Sequence, residues 1–224
     1  MKMIIIYELI FIFNIYRAFT KSEEIIIQKN NDFWQIVAPP GTGKTTLASR
    51  IVRLGIKEKR KVYSNVPIRG ALKVDIKKDF GKKYIHDCKV IIDEAGSDLN
   101  NRNWQTNLTD EAIEFIQKHR HYNVDIYCFQ QAPNTIDNKF RDLTTKIFLL
   151  NKSKLPFMIY AQCIEKVTKL SGGDTGDIVT YYEENKKDSF RFTMPPNWAY
   201  FNSFDRKMKL KEEKGKRYTI KDIV

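Results

Sequence analysis

The chain has 224 residues, 42% of them hydrophobic and 12% aromatic, with only ten Gly and seven Pro. This composition excludes a disordered or collagen-like polymer and leaves room for one full domain with extensions, or two small ones. Lys and Arg number 39 against 27 Asp and Glu, a formal charge of +12, so the surface suits nucleic acid or anionic lipid. The cysteines, Cys88, Cys128 and Cys163, stand far apart without a C-x-x-C pair. That argues against a disulfide framework and for a reducing compartment, the cytosol.

In chain order, Met3–Phe19 (MIIIYELIFIFNIYRAF) is the most apolar stretch, interrupted by Glu8, Asn14 and Arg17. Its uninterrupted runs fall short of the roughly 20 apolar residues a helix needs to span a bilayer. Three readings stay open: a short membrane anchor, an interfacial helix, and a core helix packed on the domain behind it. No small-x-small cleavage site follows, which speaks against a signal peptide. If the segment inserts, Arg17 and Lys21 stay cytoplasmic and the rest of the chain is tethered to the inner face of the membrane.

Phe33–Val37 (FWQIV) reads as a buried strand, Ala38–Thr46 as a loop, and LASRIVRLGIKEK as a helix. The loop matches the phosphate-binding pattern G-x-x-x-x-G-K-[ST], with Ala38 in place of the first Gly. Backbone N–H groups of Pro40-Gly41-Thr42-Gly43-Lys44-Thr45-Thr46, Pro40 itself lacking one, are expected to line a phosphate cradle at a helix amino terminus. Lys44 would reach the β and γ phosphates of a nucleoside triphosphate, Thr45 would ligate Mg²⁺, and Thr46 would bond the α phosphate. About fifty residues on, Lys89–Ile92 (KVII) is a buried-strand pattern ending in Asp93-Glu94. There Asp93 is expected to hold the Mg²⁺ shell and Glu94 to orient or deprotonate the attacking water.

Thr109–His121 (TDEAIEFIQKHRH) predicts a helix with Thr109 as N-cap, acids in its first turn and a basic end. Val124–Phe129 (VDIYCF) predicts a further buried strand, followed by Gln130-Gln131-Ala132-Pro133. The placement is similar to that in ATPases with an extra strand between the P-loop strand and the Asp-Glu strand, where a polar residue at the tip of this next strand contacts the γ phosphate or the attacking water. Gln131, or Gln130 beside it, fits that position. His119 and His121 lack metal-ligand spacing to Cys88 or Cys128. Strands alternating with helices predict a three-layer α/β domain around a mostly parallel central sheet. We divide the chain into residues 1–20, a hydrophobic segment; 30–165, a P-loop ATPase domain; and 166–224, a small α+β extension. Within the last, Arg206–Arg217 holds seven basic and two acidic residues and could hold phosphates or lipid headgroups.

Together the P-loop, VYSNVPI (Val62–Ile68), VIIDEAGSDLNNRNW (Val90–Trp104), KHRHYNVDIYCFQQ (Lys118–Gln131) and IDNKFRDLT resemble the zonular occludens toxin family, assembly ATPases of filamentous phages. That family falls within the FtsK/HerA group of RecA-like P-loop NTPases. The resemblance implies an ATP-hydrolysing motor in a homo-oligomeric ring, acting from the host cytoplasm at the inner membrane. It implies DNA, single-stranded before duplex, and phage coat or assembly proteins as partners. It also implies an arginine supplied by a neighbouring subunit, for which Arg120 is the first candidate beside Arg102 and Arg141. The chain departs from well-known members in that nothing after Thr45 reads as a membrane span, so the amino-terminal segment would have to replace the usual anchor. A genome-packaging ATPase acting on duplex DNA and a non-hydrolysing nucleotide-binding scaffold are the alternatives.

Overall fold

Three apolar runs, FWQIV, CKVII and VDIYCFQ, are buried at every residue. They lie side by side in the middle of one sheet, where both faces are covered and a strand has no polar side to show. The computed structural model describes residues 2–28, 31–94, 108–132, 138–153, 157–170 and 178–193. The first elements are α1 (Lys2–Ile27), β1 (Phe33–Val37), α2 (Lys44–Lys57), β2 (Lys61–Ser64), β3 (Leu72–Lys73), α3 (Ile76–Asp79) and β4 (Cys88–Ile92). They are followed by α4 (Asp110–Gln117), β5 (Val124–Gln130), α5 (Asn138–Asp142), β6 (Lys146–Lys152), β7 (Met158–Leu170), β8 (Ile178–Glu184) and β9 (Phe190–Thr193).

Among the described residues the strands form one sheet in the order β3-β2-β4-β5-β1-β6-β7-β8, with β9 also on β7. Strands β1 to β6 pair in parallel, while β7, β8 and β9 add an antiparallel wing. Strand β5 lies between β1 and β4, with Gln130 opposite Val37 and Cys128 opposite Ile92. The carboxyl ends of all three therefore meet at one edge, where an open α/β sheet binds its ligands. Successive strand residues serve opposite faces. Trp34 and Ile36 join Leu47, Ala48 and Ile51 of α2 in one core, and Phe33, Val90 and Ile92 join Phe80, Phe115, Ile116 and Phe140 in the other. The result is the expected three-layer α/β arrangement with a mostly parallel sheet.

Helix α4 starts where its cap predicts, with Thr109 Oγ1 accepting the Ala112 N–H at 3.3 Å. The three cysteines are free and buried, and burial pushes the Cys88 and Cys163 thiols up to about 12. The division drawn at residue 165 falls inside β7, so the described part of residues 166–193 continues the same sheet. Arg206–Arg217 lies outside the described residues.

Helix α1 extends past residue 20, and its two halves differ. The carboxyl half is rooted in the domain: Ser22, Ile25 and Ile26 are buried, Ser22 Oγ accepts from Arg50 of α2 at 2.6 Å, and the Ile26 carbonyl accepts from Lys89 of β4 at 2.6 Å. In the amino half Ile6, Leu9, Ile10, Phe11, Ile12, Phe13 and Tyr16 are exposed. At 3.6 residues per turn these positions put apolar side chains on every side of the helix. Among the described residues no helix is long and apolar enough to cross a membrane.

Candidate functional site

The loop that leaves β1 is shaped by its own backbone. The Ala38 N–H donates to the Gln130 carbonyl at 3.0 Å, tying the loop entrance to the tip of β5. Thr42 closes a turn on the Pro39 carbonyl, through its N–H at 3.3 Å and its hydroxyl at 2.6 Å. Gly41 and Gly43 hold φ of +74° and +94°, left-handed values that favour glycine. Ala38 is absent from the positive-φ residues, so the backbone does not need a glycine at the position where the pattern is broken. A Cβ at Gly43 would collide with the Ile159 side chain of β7. The antiparallel wing therefore packs the end of Ile159 against the loop, so a larger residue at Gly43 would also require that side chain to shift.

Gly43 is also the N-cap of α2 and supplies no side-chain cap. The first N–H groups of that helix keep their capacity for an anion, reinforced by the helix dipole. Pro40 and Gly41 are exposed, and Thr42, Gly43, Lys44, Thr45 and Thr46 half-buried, an accessible cradle of the kind the sequence predicts. Within α2 the Thr45 carbonyl accepts from the Ser49 hydroxyl at 2.9 Å.

Across the edge, β4 delivers Asp93, half-buried, and Glu94, exposed. Burial is the largest influence on the Asp93 carboxyl and raises its pKa above the ordinary value; Lys44 and the Glu94 N–H pull it back down, and the Glu94 charge pushes it up. Lys44 and Asp93 thus share one electrostatic environment. The Asp93 carboxylate accepts the Glu94 N–H at 3.0 Å, and Glu94 holds φ of +53°, a left-handed conformation that costs a non-glycine residue on the order of 1 kcal/mol. Asn65, just beyond β2, grips the Asp93 main chain: its Nδ2 donates to the Asp93 carbonyl at 2.9 Å and its Oδ1 accepts the Asp93 N–H at 2.8 Å. Sequence reasoning quoted Asn65 within VYSNVPI but gave it no task; a contact spanning 28 positions leaves no periodic signal.

Gln130 ends β5 with its side chain buried, and Gln131 follows it exposed. Of the two, Gln131 is the one exposed to solvent at the carboxyl end of β5. Lys44, Thr45, Asp93, Glu94 and Gln131 therefore gather at one edge. Arg120 does not join them within the same chain. It is exposed in the turn after α4, which feeds the amino end of β5, and Arg141 precedes the amino end of β6. Both sit toward the opposite edge of the sheet; Arg102 lies outside the described residues. Among the described residues, Cys163, Glu165 and Asp188 are grouped closely enough to hold a metal ion. Asp188 already pairs with Lys146 at 2.9 Å and Glu165 accepts from Asn185 at 2.5 Å, so these carboxylates are satisfied without one.

The donor set fits a magnesium nucleotide: glycine-shaped backbone, an uncapped helix terminus, a lysine, a threonine hydroxyl and a carboxylate. A family model described as zonular occludens toxin (Zot) matches residues 42–157, just over half of the chain. No curated protein matches the chain. Among solved structures, the amino-terminal domain of zonular occludens toxin from Neisseria meningitidis is 20% identical, with a TM-score of 0.42, covering 70% of this chain and 96% of that one. The genome-packaging NTPase B204 of Sulfolobus turreted icosahedral virus 2, with ATP-gammaS, is 10% identical at a TM-score of 0.44, covering 67% and 97%. The flagellar accessory protein FlaH of Methanocaldococcus jannaschii is 12% identical at 0.40, covering 59% and 76%.

Proposed function

We propose that this chain, which belongs to the zonular occludens toxin family, is an ATP-hydrolysing motor that moves phage DNA at the host's inner membrane. The observation that carries the hydrolase reading is the meeting of the glycine cradle, Lys44, Asp93 and Glu94 at the carboxyl edge of three adjacent parallel strands. In this reading the loop N–H groups and Lys44 bind the phosphates, and Thr45 and Asp93 hold Mg²⁺. The metal supplies positive charge against the charge that builds on the phosphates during transfer. Glu94, exposed at the mouth, accepts the proton of the attacking water. Gln131 orients that water from the tip of β5. Completion of the site by a neighbour's arginine, Arg120 first, belongs to the same proposal and requires a ring, since Arg120 lies toward the far edge of its own subunit.

The charge of +12 supports a nucleic-acid partner, whose phosphates reward clustered Lys and Arg. The amino half of α1 supports the membrane part. A helix apolar on every side calls for an apolar surround rather than a groove along one face. The experiment for the motor is ATP hydrolysis by the purified chain, alone and with single-stranded or duplex DNA, with Glu94→Gln as the blank. Turnover stimulated by single strands and absent in Glu94→Gln supports extrusion, stimulation by duplex alone points to packaging, and no turnover beside intact nucleotide binding leaves a scaffold. For the membrane part, exchange of Leu9, Ile12 and Phe13 for Ser is expected to release the protein from anionic vesicles. Unchanged flotation with those vesicles would remove α1 from the proposal.

A further inference from the structure

We infer that Asn65 is a positioning residue for the Asp93–Glu94 carboxylates, acting on the main chain of Asp93 as a substitute strand; the inference rests on the reading of those carboxylates as hydrolytic. Strand β2 runs parallel to β4 from Lys61 opposite Cys88 to Ser64 opposite Ile91, and the Asn65 N–H still reaches the Ile91 carbonyl at 3.3 Å. There β2 stops, because the Val66 N–H turns back onto Ser64 Oγ at 3.2 Å and Pro67 follows, without an N–H to continue a ladder. The Asp93 peptide groups would otherwise lose their neighbour on that flank at the point where the functional residues begin.

The Asn65 carboxamide takes over that neighbour's part. It offers one N–H and one C=O, the pair a strand would offer, and both are engaged with Asp93, at 2.9 and 2.8 Å. The orientation of the amide follows from its partners, since a carbonyl requires the Nδ2 end and an N–H the Oδ1 end. Two bonds to one residue fix the position and the rotation of its backbone. That matters because the next residue, Glu94, turns into the left-handed region and is held from Asp93 Oδ1. The directions of both carboxylates therefore descend from the Asp93 backbone.

Few side chains can replace this clamp. Asp has the shape but no donor, and would place a negative charge against the Asp93 carbonyl. Ala has neither group.

The test compares Asn65→Asp and Asn65→Ala with the wild type in the full chain. It reads kcat and KM for ATP hydrolysis, the melting temperature, and the affinity for ATP with and without Mg²⁺ in a Glu94→Gln background, where turnover is blocked. A displacement on the scale of 1 Å costs about 100-fold in rate. We therefore expect kcat to fall about 10- to 100-fold in both variants. ATP affinity without Mg²⁺ should stay within about threefold, and the gain in affinity on adding Mg²⁺ should shrink. The shape-conserving Asn65→Asp should be no better than Asn65→Ala, which a space-filling role would not produce. A folded Asn65→Asp with wild-type kcat and Mg²⁺ gain overturns the inference, as does a loss of metal-free affinity that tracks the melting temperature. Should the wild type itself show no turnover, the hydrolase reading fails separately, and the Mg²⁺ gain still decides whether Asn65 positions Asp93.

Discussion

At the amino ends of the parallel strands, charges close on one another. Arg60 donates to Asp125 at 2.5 Å and to the carbonyls of Cys88 and Asn123 at 3.1 and 3.2 Å, and Asp125 accepts the Asp32 N–H at 3.1 Å. Both side chains are almost wholly buried, at 8% and 2% exposure. At the carboxyl ends the arrangement is reversed. The strongest grip on Asp93 comes from the neutral amide of Asn65, while Lys44 and Asp93 influence each other electrostatically. One edge spends its ionic chemistry on stitching β1, β4 and β5 together. The other is held by the neutral Asn65 amide, and its charges are those the proposed function assigns to a nucleotide. Residue type alone therefore does not separate a structural charge from a functional one; what holds the backbone beneath it does.

The sharpest way to break this comparison is to remove one charge from each edge. Loss of one partner leaves the other buried without compensation, so Asp125→Ala is expected to destabilise the fold by about 3–5 kcal/mol. ATP affinity of the molecules that remain folded should be unchanged. Lys44→Ala should do the opposite, weakening ATP binding by about 100-fold or more, on the order of 2.7 kcal/mol, with little change in melting temperature. Calorimetric melting and ATP titration of the same two samples check both. A collapse in stability from Lys44→Ala, or full ATP affinity in it, would erase the distinction between the edges.

The parts legible in the sequence are those in which local pattern and burial coincide. FWQIV, KVII and VDIYCF announce strands buried on both faces, and the Thr109 cap announces α4, because each signal sits within a few residues of its own effect. The glycine cradle is legible for the same reason: φ values at Gly41 and Gly43 are a property of the loop itself. Contacts made at long range were not. The seat of α1 on Arg50 and Lys89 spans 28 and 63 positions and begins at Ser22, beyond the apolar run Met3–Phe19, so that run by itself could be read as anchor, interfacial helix or core helix. The continuation of the wing beyond residue 165 was not legible as part of the domain, because the pairing of β8 and β9 with β7 depends on partners that no local periodicity encodes. Ile159 of β7, pressed against Gly43, adds a reason for a glycine that the motif alone explains differently.

The smallest expected effect concerns a titratable group built into the amino edge. His119 is 2% exposed; its Nδ1 lies 2.8 Å from the Ile116 carbonyl and its ring stands edge-on to Phe33 at 5.9 Å between centroids. Burial, and then the charge of Arg120, hold its pKa below the ordinary value, while the carbonyls of Ile116 and Asn31 and the charge of Asp125 oppose the shift. In the unfolded chain the imidazole takes up a proton near pH 6.5. Between that pH and the lower folded value the unfolded state binds more protons than the native one, so stability rises with pH across this window. The contribution is fully present above about pH 6.5 and is lost as pH falls through the folded pKa. Chemical denaturation at a series of pH values between 7 and 5 should therefore show a slope that His119→Gln reduces. An identical slope in that variant would remove His119 as the source of the pH dependence. Nucleotide affinity is expected to be the same in His119→Gln and wild type at pH 7, because the ring belongs to the edge that holds the strands and not to the edge that carries the proposed phosphate site.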